Sequence, residues 1–163
     1  MTATPHPPRR NAIEQRKLEA ALTELFEHLV TFNQTLGLKV LRFGPDGPQL
    51  RFEMRPELVG HYQHGRLHGG VISATLDAMA GLAIMVALGE KHADESSEQV
   101  MHRFTRLGTI DLRVDYLRPG IGQHFVASAE VLRLGGRVGT AQMRLVNDSD
   151  ALIATGAAAY MLS

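Results

Sequence analysis

Along the chain, apolar residues recur with two different periods, and the switch between them marks out the architecture. Between residues 11 and 32, Ile13, Leu18, Leu22, Leu25, Phe26, Leu29 and Val30 fall mostly three or four apart among charged residues, the spacing of an amphipathic surface helix. Residues 38–43 and 49–55 read as two short strands, and FGPDGPQ between them holds the Gly, Pro and Asp of a turn, so a hairpin is expected. A polar loop with three histidines, GHYQHGRLHGG, leads into VISATLDAMAGLAIMVAL at residues 71–88, which reads as a helix buried on all sides. The polar stretch EKHADESSEQ leaves that helix and is expected to be mobile.

From Gly108 the period becomes two. TIDLRVDYLRP alternates apolar Ile110, Leu112, Val114 and Tyr116 with polar Asp111, Arg113 and Asp115, a long strand with one wet face. HFVASAEVLRL, RVGTAQMRLVN and ALIATGAAAYML are three further strands, separated by RPGIGQ, GG and NDSD, and turn chemistry at each break predicts a meander. The simplest packing of these elements is an α+β domain in which one antiparallel sheet curls around a long central helix, with an extra N-terminal helix outside.

Length and composition narrow the function. At 163 residues the chain is the size of one domain, expected over residues 11–163, after a Pro-rich and disordered stretch at 1–10. The 17 basic and 17 acidic residues cancel, so there is no strong field for nucleic acid or anionic lipid, and a small-molecule partner is expected. The absence of cysteine excludes disulfides, thiolate zinc sites and cysteine nucleophiles. MTATPHPPRR offers no apolar leader, so the expected compartment is the cytoplasm. Residues 71–88 fall slightly short of the about 20 that span a bilayer. Their interior acid would cost about 2.5–3.5 kcal/mol at a membrane centre, so no membrane partner is expected.

That acid is Asp77, and it carries the chemistry. An ionised carboxylate in an apolar helix must find hydrogen bonds or a cation, or become neutral. Its neighbours at the helix start, His68, Gly69 and Gly70, would present unpaired backbone N–H groups with partial positive charge, able to hold a carbonyl oxygen as it becomes an oxyanion. Oxyanion hole and carboxylate are two parts of an acyl-transfer site. Nine residues of helix, however, hold them about 13 Å apart at about 1.5 Å per residue. The gap closes if two chains pack their helices side by side, so that Asp77 of one meets the helix start of the other.

The string HGGVISATLDAMAG, followed by TIDLRVDYLRPG and by LRLGGRVGTA, resembles the PaaI-like acyl-CoA thioesterases of the hotdog fold, and RLGTIDLRVDYLRPG with the polar segment after the helix resembles their YigI-type branch. The resemblance spans roughly residues 33–162 and implies hydrolysis of medium- to long-chain acyl-CoA to free fatty acid and CoA, without cofactor or metal, by a homodimer that pairs into a dimer of dimers. It implies that Asp77 is the catalytic carboxylate, as base or nucleophile, that the Gly69 N–H binds the thioester carbonyl, that His68 supports this hole, and that Thr109 positions the carboxylate or the water. Gly60-His61 stands where relatives have Gly-Asn, a departure at the residue that would orient water or carbonyl. It also implies CoA binding by Arg118 and Pro119, which end the strand as in relatives, and by Gly136 and Arg137, the last sitting where a cation would meet CoA phosphates.

Other readings remain in view. His61, His64 and His68 are metal-ligand types, but no second carboxylate or cysteine lies at a metal-motif spacing, and no metal is expected. A hotdog hydroxyacyl-thioester dehydratase would carry a His-Phe-Pro-type loop before the acid, whereas His64 here is followed by Gly-Arg-Leu. A non-catalytic acyl-CoA-binding protein would have no need of Asp77. Arg118 and Arg137 are also ordinary surface cations. Ala74, Ala78 and Gly81, at helical spacing, either let backbones approach or leave room for an acyl chain.

Overall fold

A computed structural model of the protein describes residues 9–162. Most of the N-terminal stretch expected to be disordered, residues 1–8, lies outside them. Arg10 is described, and its guanidinium donates to the carbonyls of Gly89 at 2.6 Å and Glu95 at 2.9 Å, fastening the chain start to the C-terminal end of the central helix.

The expected N-terminal helix is present but interrupted. Helix α1 (Ala12–Glu24) is capped by the Asn11 side chain, which accepts from the N–H groups of Ile13 and Glu14. It continues into one wide π turn, Leu25–Leu29, and restarts as α2 (Thr31–Leu36), which ends on Gly37 in the left-handed conformation. Leu18, Leu22, Leu25 and Phe26 face the core, whereas Ile13 and Leu29 are 60% and 64% exposed, contrary to the even helical face expected. The wide turn explains Leu29. The Val30 N–H bonds the Leu25 carbonyl at 2.9 Å, five residues back, so Val30 takes the inward place that Leu29 would hold in a regular helix.

The hairpin β1 (Lys39–Gly44) and β2 (Gly47–Glu53) forms as expected, and a small ribbon, β3 (Val59–His61) with β4 (Arg66–Leu67), precedes the long helix α3 (Gly69–Lys91). The polar exit is not a plain loop. Residues Ser97–Arg103 form α4, opened by a reciprocal capping box between Ser96 and Gln99, and Glu95 accepts the Arg103 guanidinium. Strands β5 (Gly108–Tyr116), β6 (His124–Leu134), β7 (Val138–Asn147) and β8 (Leu152–Met161) complete the chain.

All six long strands join one antiparallel sheet in the order β1-β2-β6-β7-β8-β5, wrapped on α3. The expected four-strand meander is therefore corrected: β6, β7 and β8 run as neighbours, but β5 pairs with β8 and β2 takes the place beside β6. The connection at residues 117–123 does not act as a tight hairpin. Gly120 is pressed onto Leu67, where a Cβ would come within 2.8 Å of the Leu67 Cβ, and the Leu67 N–H donates to the Gly120 carbonyl. Anchoring the turn to β4 carries the chain away from β5 and leaves that strand at the sheet edge.

Helix α3 is the axis of the core, with Leu76, Met79, Leu82, Ile84 and Met85 fully enclosed. It is not buried all round as expected. Gly70, Ser73, Ala74, Asp77 and Ala78 form a stripe, at three- and four-residue spacing, that the chain leaves partly open. One edge of this stripe is β5, where Ile110 and Tyr116 are 58% and 55% exposed.

Candidate active site

The sheet brings two hydroxyls onto the Asp77 carboxylate. Thr109 on β5 and Tyr160 on β8 are directly paired across the strands, so their side chains stand on the same face. The Thr109 hydroxyl donates to Asp77 Oδ1 at 2.9 Å, and the Tyr160 hydroxyl lies 2.5 Å from the same oxygen and 2.6 Å from the Asp77 backbone carbonyl. Among the described residues Oδ2 has no donor, so one carboxylate oxygen is fixed by two hydroxyls and the other is left unpaired. Burial, and then the hydrogen bond to the Asp77 carboxylate, push the Tyr160 phenol well above its ordinary range, which keeps it a proton donor.

A bulge in β5 makes this meeting possible. The register slips between Thr109 and Asp111, leaving Ile110 without a partner on β8. Strict alternation would send Ile110 inward and Thr109 outward with Asp111. The extra residue reverses this, turning Thr109 to α3 and Ile110 to solvent.

The helix start is built separately. His68 is the N-cap of α3, and its Nδ1 accepts the Gly70 N–H at 2.8 Å. The neutral ring therefore carries its proton on Nε2. This contact consumes the Gly70 N–H and leaves that of Gly69, which has no acceptor among the described residues, as the free donor. The Tyr116 hydroxyl donates to the Gly69 carbonyl at 3.1 Å, steadying the peptide that follows. The neighbouring ribbon needs Gly60, since a Cβ there would stand 2.6 Å from the His68 Cα. His61 itself is exposed at the ribbon tip, its ring 4.7 Å from that of His64, and makes no contact with Asp77.

The residues expected to act together thus fall into two groups. Asp77 and Thr109 meet, joined by Tyr160, which sequence reasoning missed; the other group is His68 and Gly69 with Gly60 and Tyr116. Eight residues of α3 keep Gly69 about 12 Å from Asp77 within one chain, at about 1.5 Å per residue.

The residues assigned to CoA also separate. Arg118 donates to the Leu152 carbonyl at 2.9 Å, and Pro119 accepts the Ile121 N–H, so both belong to the turn packed near the start of α3. Gly136 and Arg137 lie at the far end, where Lys91 donates to the Gly135 carbonyl at 2.9 Å. Arg137 is exposed and has no side-chain partner among the described residues. Beside it, Lys91, His102, Arg106 and Gly136 border a hollow of about 330 Å³.

Asp77 opens onto an apolar cavity of about 280 Å³ lined by both sides of the fold, with Ala78 and Gly81 of α3, Phe26 and Val30 of the N-terminal segment, and Phe104. Among the described residues its walls carry no second carboxylate and no histidine, lysine or arginine. A wider hollow of about 520 Å³ lies on the outer face of the sheet among Arg113, Glu130 and Arg144, away from Asp77.

Residues 64–154 match the family model of the thioesterase superfamily. The chain is 40% identical over 139 residues to the medium/long-chain acyl-CoA thioesterase YigI of Escherichia coli K12, covering 85% of this chain and 90% of that protein. It is 41% identical, over the same shares, to the protein of the same name from Salmonella typhimurium. Among solved structures, a thioesterase-superfamily protein from Shewanella oneidensis superposes with a TM-score of 0.86 at 39% identity, covering 94% of this chain and 99% of that one.

Proposed function

The chain belongs to the thioesterase superfamily and has its hotdog fold, and from that premise we propose that it is an acyl-CoA thioesterase hydrolysing medium- to long-chain acyl-CoA to free fatty acid and CoA. The observation that carries the reading is the Asp77 carboxylate, with Oδ1 held by two hydroxyls and Oδ2 open beside an apolar cavity. That is what a thioester site needs: a fixed oxygen for aim, a free one for reaction, and an apolar hollow for the tail.

The thioester carbonyl oxygen would accept the Gly69 N–H, which points outward at the positive end of α3. As a base, Oδ2 takes a proton from water while the water oxygen attacks the carbonyl carbon. As a nucleophile, Oδ2 attacks that carbon itself, and water then hydrolyses the resulting anhydride. In the base route the C–S bond breaks as the tetrahedral intermediate collapses, and the proton held on Oδ2 passes to the departing CoA thiolate. In the nucleophile route the C–S bond breaks as the anhydride forms, the thiolate takes a proton from solvent, and the water that opens the anhydride returns one.

The about 12 Å between Gly69 and Asp77 of one helix is too long for one thioester to meet both, which supports a homodimer as the working unit in this proposal. Two features support it. Strand β5 is an uncapped edge carrying exposed Ile110 and Tyr116, and beside it α3 leaves open the small-residue stripe that bears Asp77. Pairing two β5 edges about a two-fold axis would lay the α3 stripes together and complete two sites. A further pairing of dimers into a tetramer belongs to the same proposal but adds no residue to the site. Arg137, with Lys91 and Arg106 near it, is proposed to meet CoA phosphates, while Arg118 and Pro119 shape the turn behind the oxyanion hole of their own chain. His68 positions that hole, and His61 stands at its rim. One catalytic domain at residues 11–163, working in the cytoplasm where CoA thioesters are made and used, completes the reading.

The test is release of free thiol from acyl-CoAs of increasing chain length by wild-type protein and by Asp77→Asn. Turnover that depends on Asp77 supports the proposal, and wild-type protein inert on every acyl-CoA would sink it.

A further inference from the structure

The cavity beside Asp77 has a wall that the family match does not contain. Phe26, Val30, Asn33 and Tyr160 line it and all lie outside residues 64–154. From Asp77 the space runs along α3 toward its C-terminal end, because Gly81 stands one turn further on the same helical face. Gly81 leaves the passage open: a Cβ there would stand 3.6 Å from the Tyr160 hydroxyl and 3.9 Å from the Phe26 ring. Beyond it Phe26, 3% exposed, meets the edge of Phe104 with ring centres 6.2 Å apart and closes the end.

The π turn sets that wall. Its extra residue turns Val30 inward to line the cavity, and the buried Asn33 side chain donates to the Phe26 carbonyl at 3.0 Å, holding the turn from the next helix. A local irregularity with a dedicated internal hydrogen bond, built where a cavity begins at a reactive carboxylate, is what a shaped subsite requires.

We propose that the segment Leu25–Leu36 is the wall that sets acyl chain length, with Phe26 as the end stop and Gly81 as the gap through which the tail passes. The occupant is the acyl tail of the thioester, because the cavity is continuous with Asp77 and apolar beyond it; this rests on the thioesterase reading. Tails that reach past Gly81 bury methylenes against Phe26 and Val30, and longer ones are stopped by the two phenylalanine rings.

The experiment is a chain-length profile of kcat/KM with straight-chain acyl-CoAs for wild type, Gly81→Ala and Phe26→Leu. Gly81→Ala narrows the passage without a clash, so the ratio of long- to short-chain kcat/KM should fall about tenfold, as for the loss of one or two methylene contacts. Alanine is the better helix former, so the melting temperature should not fall with it. Phe26→Leu keeps the site apolar while shortening the stop, and should move the optimum to longer chains. Profiles unchanged in both variants, with wild type active and both variants folded, would overturn the wall while leaving the thioesterase reading intact. Wild-type protein inactive at every chain length would remove that reading, and the wall with it.

Discussion

Tyr160 and Asp77 stand 83 residues apart in sequence, yet the phenol of one lies 2.5 Å from the carboxylate of the other. Thr109 donates to the same oxygen from the paired strand, so two adjacent strands fix the orientation of an acid on the helix they enclose. In the proposed reaction this makes Oδ2 the oxygen that acts.

Removing either donor should therefore lower kcat about tenfold, the order expected when a hydrogen bond to a charged group is lost. Because one remaining hydroxyl can still anchor Oδ1, the Thr109→Val, Tyr160→Phe double variant should lose more than the product of the two single losses. Steady-state kinetics of the four proteins check this, and simple multiplicativity would show that the hydroxyls do not share a task.

Asp77→Asn keeps an oxygen able to accept from both hydroxyls but can neither take a proton nor attack. Its kcat should fall at least ~100-fold, with little change in melting temperature. Near-normal thioester hydrolysis by the folded variant would remove Asp77 from the chemistry.

Gly69→Pro deletes the free N–H at the first position of α3, where proline is tolerated, and His68 already has the extended backbone, φ −65 and ψ 136, that precedes proline comfortably. Loss of an oxyanion donor should cost about 10²–10³ in kcat. Co-folding Gly69→Pro chains with Asp77→Ala chains should restore activity, because each mixed dimer regains one intact site. Mixed dimers that form but stay inactive would argue that the two halves of the site are not shared.

Arg137→Ala should raise KM for acyl-CoA far more than it lowers kcat, since a phosphate contact remote from the thioester holds ground and transition states alike. Added salt should weaken wild type in the same direction. An unaltered KM would leave Arg137 an ordinary surface cation.

Glu14 ties α1 to the start of α4. Hydrogen bonds from Lys17 and from the backbone and hydroxyl of Ser97 lower its carboxyl from 4.5 to about 2. A carboxyl depressed by folding stabilises the native state above its unfolded value, and that contribution is lost as pH falls through the folded one. The melting-temperature advantage of wild type over Glu14→Gln should thus be complete above about pH 4.5 and gone near pH 2. An advantage that persists at pH 2 would mean that the contact does not depend on the charge.

Much of this was legible in the chain because the signals are local. Period-two alternation from Gly108 gave the strands, the glycine-rich stretch before an apolar run gave the start of α3, and Asp77 stood out as the one charge within that run. Eight residue steps of helix from Gly69 to Asp77 gave the separation of about 12 Å on which the proposed dimer rests, since helical rise is fixed by backbone geometry. The Ser96–Gln99 capping box is also a local signal, and it makes a helix of a segment whose polar composition alone suggests a mobile loop.

The tertiary structure alone decided what depends on contacts between distant segments. Whether β5 lies beside β6 or β8 turns on where residues 117–123 are anchored, and Gly120 against Leu67 settles that through packing no turn motif encodes. The β5 bulge is a mismatch between two strands, so alternation within one strand placed Ile110 inward and could not turn Thr109 to the helix. The π turn at Leu25–Leu29 likewise breaks a period that the sequence keeps nearly regular. Nothing in the last strand's sequence sets Tyr160 apart, and only the curled sheet places its hydroxyl against Asp77.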